Sequence, residues 1–186
     1  KVYSPGVYIG QVEETVVDDW YAVQVRTGRE RTVVLLSQKI ADRAVLKECF
    51  IPYCDRMKRY QGKWHVEQHI LFPGYVFMVT GQVEKLFWEL KKLSGFAKIL
   101  GNGVDFIPIR QEEKSLLLHI GGEGHQSGMS QGVIEGDTVI ITSGPLTKLS
   151  GEITYIDRHK RLAMVRVEMF GRFMDVKLGL EIVHKE

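Results

Sequence analysis

Four side chains of the kinds that bind metal ions lie within 21 residues of one another. They are Cys49, Cys54, His65 and His69, and their spacing resembles that of a zinc finger. In a true finger twelve residues separate the two halves and the histidines lie on a helix, whereas both halves here have the composition of strands in one hairpin. If Tyr60 faces Lys63, Cys54 lies near His69, but Cys49 is then about 16 Å from Cys54 at about 3.3 Å per residue. The four ligands would not converge, so we expect no metal ion and no other cofactor.

The same segment, residues 53–65, combines basic and aromatic side chains. Its cations are Arg56, Lys58, Arg59 and Lys63, and they lie among Tyr53, Tyr60 and Trp64. Cationic side chains neutralise phosphates, and aromatic faces stack on unpaired bases, so the pattern favours nucleic-acid contact. The alternative is a solvated hairpin tip whose charges only keep the protein soluble.

A second basic group lies near the carboxy terminus. Its members are Lys148, Arg158, Lys160, Arg161, Arg166, Arg172 and Lys177, and acids at positions 152, 157, 168 and 175 dilute it. We hypothesise that this group also contacts RNA, since small β-barrels commonly bind RNA or proteins through the same face.

Aromatic residues are concentrated in the run 71–77, which reads LFPGYVF. Pro73 and Gly74 predict a turn just before a strand, and Phe72, Tyr75 and Phe77 place three rings within six residues. Each ring alone could belong to a core. Three rings at the start of a strand favour a partly exposed patch, which is typical of a protein-docking site because rings bury much area at low entropy cost.

Signatures of enzymes are absent from the sequence. We find no Walker loop, no Gly-x-Ser-x-Gly and no metal-binding carboxylate cluster. The glycines at 121, 122 and 124 follow a predicted helix rather than a strand, and no lysine accompanies them. We therefore expect a binding protein and not an enzyme.

The elements that position these residues follow from hydrophobic periodicity. Thr27 as N-cap and Glu30 three residues later form a capping-box pattern, which predicts the start of a helix, and Gln61-Gly62 predicts a hairpin turn. Strands are predicted at 20–26, 49–59, 63–70, 75–80 and 97–100, and helices at about 28–41, 84–93 and 110–120. The alternation predicts an α+β sandwich, with helices against a mostly antiparallel sheet.

Residues 121–132 have a different composition, with five glycines, two serines and almost no apolar side chain. This predicts a flexible linker. From residue 133 onward we find only strand signals, at 138–142, 151–157, 162–168 and 173–178, which predict a small closed β-barrel. The expected organisation is an arm or expression remnant at 1–19, an amino-terminal domain at 20–120, the linker, and the barrel at 133–186.

Overall composition narrows the class of protein. The chain has 186 residues, of which 44% are hydrophobic and 26% are charged, as in soluble globular proteins. No apolar run has the length of a membrane span, and the two cysteines are too few for a disulfide framework, so we expect a cytoplasmic protein. The net charge of +2 does not demand a nucleic-acid partner, so such contacts must be local.

Several motifs, taken in order along the chain, resemble the NusG family of transcription elongation factors. In the amino-terminal part they are WYAV at 20–23, GRE at 28–30 and FPGY at 72–75. In the carboxy-terminal part they are Gly144-Pro145, Gly151 and FGR at 170–172. The carboxy-terminal part resembles a KOW domain, and the resemblance covers nearly everything after residue 19.

The resemblance implies a partner and a set of site residues. In NusG-like factors the amino-terminal domain binds the clamp helices of the β′ subunit of RNA polymerase through a hydrophobic face. The matching positions are Phe72, Pro73, Tyr75 and Phe77, with Tyr21 nearby in the core or at its rim. Arg26 and Arg29 match positions that approach the non-template DNA strand. The implied protein is a monomeric, cytoplasmic factor that promotes processive elongation and antitermination.

One departure from the family pattern concerns the loop after Gly144-Pro145. Housekeeping members usually carry two phenylalanines there, where ribosomal protein or Rho docks, but this chain has Leu146 and Leu149. The departure implies a specialised paralogue of the LoaP or RfaH kind, closer to LoaP. Such a factor would be recruited at selected operons by a leader RNA hairpin or by the non-template DNA. The alternative is a KOW-type RNA-binding protein of the ribosome or its assembly, without polymerase contact.

Overall fold

The computed structural model describes residues 16–93 and 96–184, so most of the expected arm, residues 1–15, lies outside the described residues. In chain order the elements are β1 (Asp19–Val25), α1 (Glu30–Ile40), β2 (Glu48–Phe50), β3 (Tyr53–Tyr60), β4 (Lys63–Ile70), β5 (Tyr75–Thr80), α2 (Val83–Leu90), β6 (Phe96–Ile99), α3 (Gln111–Gly121), β7 (Gln126–Ser127), β8 (Ser130–Glu135), β9 (Thr138–Ser143), β10 (Ile153–Asp157), β11 (Leu162–Met169) and β12 (Arg172–Ile182). The mixed α and β composition confirms the predicted fold class.

A four-stranded antiparallel sheet, the central sheet, organises the amino-terminal part in the order β2-β5-β1-β6. Because side chains alternate along a strand, β1 supplies two separate clusters. Tyr21 and Val23 face α1 and α2 in the helix-side cluster. Trp20 and Ala22 point the other way, into a second cluster that we call the interface cluster.

The helix α1 begins later than the capping-box pattern predicts. Its N-cap is Arg29, which makes no capping hydrogen bond through its side chain, and Thr27 is exposed. The Glu30 carboxylate is only 2% exposed and accepts hydrogen bonds from Gly28 N at 2.8 Å and from Gly74 N at 2.7 Å. The predicted capping box is therefore wrong, since Glu30 holds the 71–74 turn against the helix start instead.

Replacing Glu30 by glutamine should destabilise the fold. The amide retains one acceptor oxygen but loses the charge that strengthens two hydrogen bonds to buried backbone donors, so we expect a loss of about 2 kcal/mol. Urea denaturation of E30Q measures it. E84Q, in the exposed first turn of α2, is the matched control and should lose less than about 1 kcal/mol. Equal midpoints for the two variants would contradict this role of Glu30.

The β3–β4 hairpin matches the sequence prediction closely. Its turn residues Gln61 and Gly62 both have positive φ, 51° and 75°, as a two-residue hairpin turn requires. Tyr60 pairs with Lys63, and therefore Cys54 pairs with His69. Cys49 lies on β2, in the central sheet and not in this hairpin. Within the described residues no cluster of histidine, cysteine and acidic side chains is arranged to hold a metal ion.

The segment 121–132 differs from the expected flexible linker. The helix α3 continues to Gly121, β7 pairs in parallel with β3, and β8 begins at Ser130. His125 is buried, its ring stacks on Phe50 with centroids 3.5 Å apart, and its Nε2 lies 2.6 Å from Glu48 Oε1. The segment 121–132 has almost no apolar side chains, but the His125 ring and the pairing of β7 with β3 hold it in place. The boundaries of independent domains at 20–120 and 133–186 stay a prediction.

The carboxy-terminal part is a five-stranded sheet in the order β10-β11-β12-β8-β9, which we call the carboxy-terminal sheet. Alternate residues of β11, namely Ala163, Val165 and Val167, are buried in the interface cluster. The edge strands β9 and β10 line one groove together, so the sheet is strongly curled. Within the described part of the chain, no helix has the length and apolarity needed to cross a membrane.

Candidate functional site

Aromatic rings form one continuous surface on the face of the central sheet opposite α1 and α2. Phe50 stacks on Phe77 at 5.5 Å between centroids, and Trp20 meets Phe50 edge-on at 5.1 Å. Phe72 meets Phe77 at 6.4 Å, and Tyr75 lies on the same face. We call these five residues the aromatic face. The sequence predicted Phe72, Tyr75 and Phe77 for it, and the strand periodicity of β1 and the run at 48–50 could have indicated Trp20 and Phe50.

One inserted ring of the carboxy-terminal part covers Phe72, Tyr75 and Phe77 of the aromatic face. Phe170, in the turn between β11 and β12, stacks on Tyr75 with centroids 4.2 Å apart and lies 5.9 Å from both Phe72 and Phe77. Phe72 and Phe77 are consequently 0% exposed and Tyr75 is 7% exposed. The expected partial exposure of the three rings is therefore wrong for this arrangement, because another part of the same chain occupies the surface.

Polar contacts hold the inserted turn in place. Arg172 donates from Nη2 to Tyr75 Oη at 2.6 Å. The backbone N–H of Phe170 donates to Glu113 Oε1 at 3.0 Å, and Glu113, on α3, is 4% exposed. Arg110 also lies 3.3 Å from Glu168 Oε1. Sequence patterns did not indicate Glu113 as an interface residue, because its spacing suggests only a charge in the first turn of a helix.

The turn that carries Phe170 has an unusual residue for its geometry. Met169 pairs with Arg172, and the two central residues, Phe170 and Gly171, have φ of 57° and 72°. Two-residue turns of this kind prefer Asn-Gly, and a bulky residue in the left-handed region costs about 1 kcal/mol or more. Phe170 therefore contacts the aromatic face from a backbone conformation that is unfavourable for its residue type.

A second contact covers the loop after Gly144-Pro145. Leu146 and Leu149 are buried and share the interface cluster with Leu117 and Ile120 of α3. His119 Nε2 lies 3.2 Å from the Pro145 carbonyl oxygen. The two leucines that depart from the family pattern therefore lie within the interface between the two parts of the chain.

Cys54 lies beneath a third contact, where its Sγ donates to the Lys177 carbonyl oxygen at 3.4 Å. Burial raises the pKa of Cys54 to about 11 and that of Cys49 to about 12. The two thiols differ in location, since Cys49 belongs to the helix-side cluster and Cys54 to the interface cluster. Cys54 is thus a reporter of the interface, and Cys49 is its internal control.

Separating the carboxy-terminal sheet should make Cys54 reactive. At pH 8 a thiol with the raised pKa is thiolate in roughly one molecule in a thousand, against roughly a quarter for a free cysteine. In a variant whose interface is open, such as F170N, we expect alkylation of Cys54 to accelerate at least about tenfold while Cys49 stays protected. Mass spectrometry after timed iodoacetamide treatment measures both. Equal acceleration at both thiols would indicate unfolding, and none at Cys54 would contradict its place in the interface.

Two predicted polymerase-binding residues lie apart from the aromatic face. Tyr21 is buried in the helix-side cluster, on the opposite face of the central sheet, and burial raises its pKa. Pro73 is exposed at the tip of the 71–74 turn. The structure therefore brings Phe72, Tyr75 and Phe77 together, places Pro73 at their edge and leaves Tyr21 in the core.

The predicted nucleic-acid-binding residues separate into three groups. Arg26 and Arg29 are exposed at the start of α1, and Lys63, Lys148 and Arg158 are exposed elsewhere. Arg172 and Arg161 make contacts between the two parts, with Tyr75 and Trp64 respectively. The remaining four line one groove, and they are Arg56, Lys58, Arg59 and Lys160.

Similarity to known proteins identifies the family. The family model described as "Transcription termination factor nusG" matches residues 18–118, which is more than half of the chain. The chain therefore belongs to the NusG family of transcription factors, which confirms the resemblance read from its motifs.

Relatives match along most of their length. The chain is 30% identical to the transcription termination/antitermination protein NusG of Thermus thermophilus over 180 residues, which are 90% of this chain and 98% of that protein. Identity to the protein of the same name from Staphylococcus aureus is 26% over 185 residues, with 93% and 98% covered. A solved structure of Thermotoga maritima NusG, described as showing a domain interaction, has a TM-score of 0.60 at 22% identity and covers 88% of this chain and 94% of that one. That last likeness concerns the fold.

Proposed function

We propose that this protein is an elongation and antitermination factor that binds the β′ clamp helices of RNA polymerase through its aromatic face. The observation that carries the proposal is the composition of that face. Five rings gather on one side of a sheet, where Phe170 of the carboxy-terminal sheet covers Phe72, Tyr75 and Phe77, and His125 stacks on Phe50. Once uncovered, clustered rings of this kind are typical hot spots of protein docking.

Polymerase binding then requires the carboxy-terminal sheet to move away. A partner cannot reach Phe72 or Phe77 while both are fully buried under Phe170. The apparent affinity of such a factor is its intrinsic affinity multiplied by the fraction of molecules that are open. Binding of the polymerase would in turn favour the open form, and the bound factor would hold the polymerase cleft closed against pausing.

We further propose a specialised role of the LoaP kind, at selected operons in the cytoplasm. The leucines at 146 and 149 support it, because they replace the phenylalanines through which housekeeping members dock other partners. A factor that is closed when free also needs a recruiting signal. We favour a structured leader RNA over the non-template DNA strand, since two separate groups of cations are available to it. The factor would act as a monomer.

A competition pull-down tests the proposed partner. Immobilised F170N protein, which we expect to be open, should retain purified RNA polymerase, and an excess of the isolated clamp helices should release it. Alkylation of Cys54 first shows that the variant is open. If the clamp helices then fail to release the retained polymerase, the assigned site is contradicted. Selective retention of ribosomal particles would instead support the alternative of a ribosomal RNA-binding protein.

A further inference from the structure

A groove of about 390 Å³ runs between the β3–β4 hairpin and the turn that joins β10 to β11. The hairpin contributes Arg56, Lys58, Arg59 and Trp64. The turn contributes His159 and Lys160, and β11 begins at the lining residue Leu162, so the two parts of the chain build the groove jointly. Its volume lies in the range of sites that hold small ligands or a short segment of a polymer.

Positive charge dominates the groove. Four of the lining residues are cations, and Glu67 is the acid among those that line it. Glu67 lies 3.7 Å from Lys58 Nζ and 3.3 Å from His69 Nε2, and Asp157, just outside, lies 3.9 Å from Lys160 Nζ. Arg59 has neither an acid nor a hydrogen-bond partner among the contacts of the described residues. Arg56 contacts His69 Nδ1, while its buried Nε finds no partner within the described part of the chain.

The pKa of the His69 imidazole, which also lines the groove, is affected by burial and by the same cations. Burial and then the charge of Arg56 lower the pKa of His69, although Glu67 opposes the shift. An exposed ring also stands at the end of the hairpin, where Tyr60 stacks on His65 with centroids 3.7 Å apart. Cations along a groove, with an exposed aromatic ring next to the lining residue Arg59 in sequence, form a combination that suits single-stranded nucleic acid.

The groove exists only while the two parts are packed together. Arg161 lies over the Trp64 ring at 4.2 Å, which fixes the turn against the hairpin. The strand β12 approaches β3 so closely that a Cβ on Gly179 would lie 2.5 Å from the Asp55 carbonyl oxygen. Because its cations come from both sides of this contact, mutual repulsion opposes closure until a polyanion neutralises it.

We propose that this groove binds the phosphate backbone of a single-stranded nucleic acid and that the bound strand holds the factor closed. This inference rests on the proposed function, because closure covers the face assigned to the polymerase. Nucleic acid in the groove and polymerase on the aromatic face then exclude each other, and the coupling is reciprocal. A recruiting RNA must accordingly bind the members of the two basic groups that lie outside the groove, such as Lys63, Lys148 and Arg158.

The first test measures binding of a fluorescent twelve-nucleotide RNA, and of DNA with the same sequence, by anisotropy on the intact protein. The double variant R59Q/K160Q removes one cation from each side of the groove. We expect its affinity for both strands to fall about tenfold and the salt dependence to lose about 1.4 in slope, as for two phosphate contacts. The charge-matched control K39Q/K85Q, on the exposed surfaces of α1 and α2, should stay within about twofold of wild type. Equal losses of affinity in the two double variants would overturn the assignment of the groove as the binding site.

The second test separates the closed form from charge alone. F170N and G179A retain every cation but disfavour packing of the two parts, one by removing a ring and the other by placing a Cβ against Asp55. We expect both to lose affinity for the oligonucleotide about as much as R59Q/K160Q does. If a variant with freely alkylated Cys54 binds the oligonucleotide as tightly as the wild type does, binding does not depend on the closed form.

Competition with the polymerase completes the test. A saturating oligonucleotide should weaken binding of isolated clamp helices to the wild-type protein several-fold, and R59Q/K160Q should not respond. If the clamp helices bind equally well with and without the oligonucleotide, the proposed exclusion is wrong. If the clamp helices do not bind even to open F170N, the proposed function fails. The anisotropy measurements still decide whether the groove binds the oligonucleotide.

Discussion

Replacing Phe170 by asparagine should raise the affinity of the intact protein for the β′ clamp helices by roughly a hundredfold. Removing the ring eliminates its contacts with Phe72, Tyr75 and Phe77, and truncation of such an anchor typically costs about 2–4 kcal/mol at an interface. That free energy would shift the molecule from closed to open. Isothermal titration with the isolated clamp helices measures the gain.

The substitution is chosen to spare the fold of the carboxy-terminal sheet. Asparagine tolerates the positive φ of 57° at this position and precedes Gly171, so Asn-Gly suits the turn better than Phe-Gly does. Amide relaxation by NMR should show two correlation times in F170N and one in the wild type. A variant with two correlation times and unchanged affinity would show that the cover does not limit binding. M174L, a swap of similar volume on the following strand β12, should change neither quantity.

Replacing Tyr75 by alanine in the F170N background should weaken clamp-helix binding by about 2 kcal/mol or more, which is about thirtyfold. The open background is essential, because Tyr75 also receives the hydrogen bond from Arg172 and stacks on Phe170 in the closed form. In the wild-type background, the same change would both open the factor and damage its binding face. The double variant F170N/Y75A isolates the second effect.

An exposed aromatic residue outside the aromatic face supplies the matched control. Trp88, on α2, is 63% exposed and lies on the helix side of the central sheet. F170N/W88A should bind the clamp helices as F170N does. Equal losses from Y75A and W88A would mean that binding uses aromatic surface in general and not the assigned face, and a loss confined to W88A would move the site to α2.

The sequence indicated local features well where a single physical signal decides them. Periodicity located α2 and β5 to within a few residues, and Gln61-Gly62 located the hairpin turn because its positive φ values need such residues. The register of the hairpin followed from that turn, and it placed Cys54 beside His69 as expected. The mixed α and β fold followed from the order of these signals.

Features that depend on distant parts of the chain were not predictable in this way. The Thr27–Glu30 spacing fits a capping box, but Glu30 binds Gly74, 44 residues away. The composition of 121–132 indicates a linker, yet His125 stacks on Phe50. Phe72, Tyr75 and Phe77 lie on one face as the run at 71–77 suggests, but their cover by Phe170 arises from the packing of two separate sheets. The composition of one segment does not indicate which distant residues of the chain will contact it.

Hydrogen–deuterium exchange of the wild-type protein, titrated with isolated β′ clamp helices, tests the central claim most directly. We predict that the segments 145–149 and 169–172 lose protection as the carboxy-terminal sheet leaves the amino-terminal part, while β5 and the 71–74 turn stay protected because the clamp helices take the place of that sheet. Both losses of protection should saturate at the same concentration of clamp helices. Protection gained on the carboxy-terminal sheet, with the turn at 169–172 unchanged, would contradict the claim that polymerase binds the face beneath that sheet.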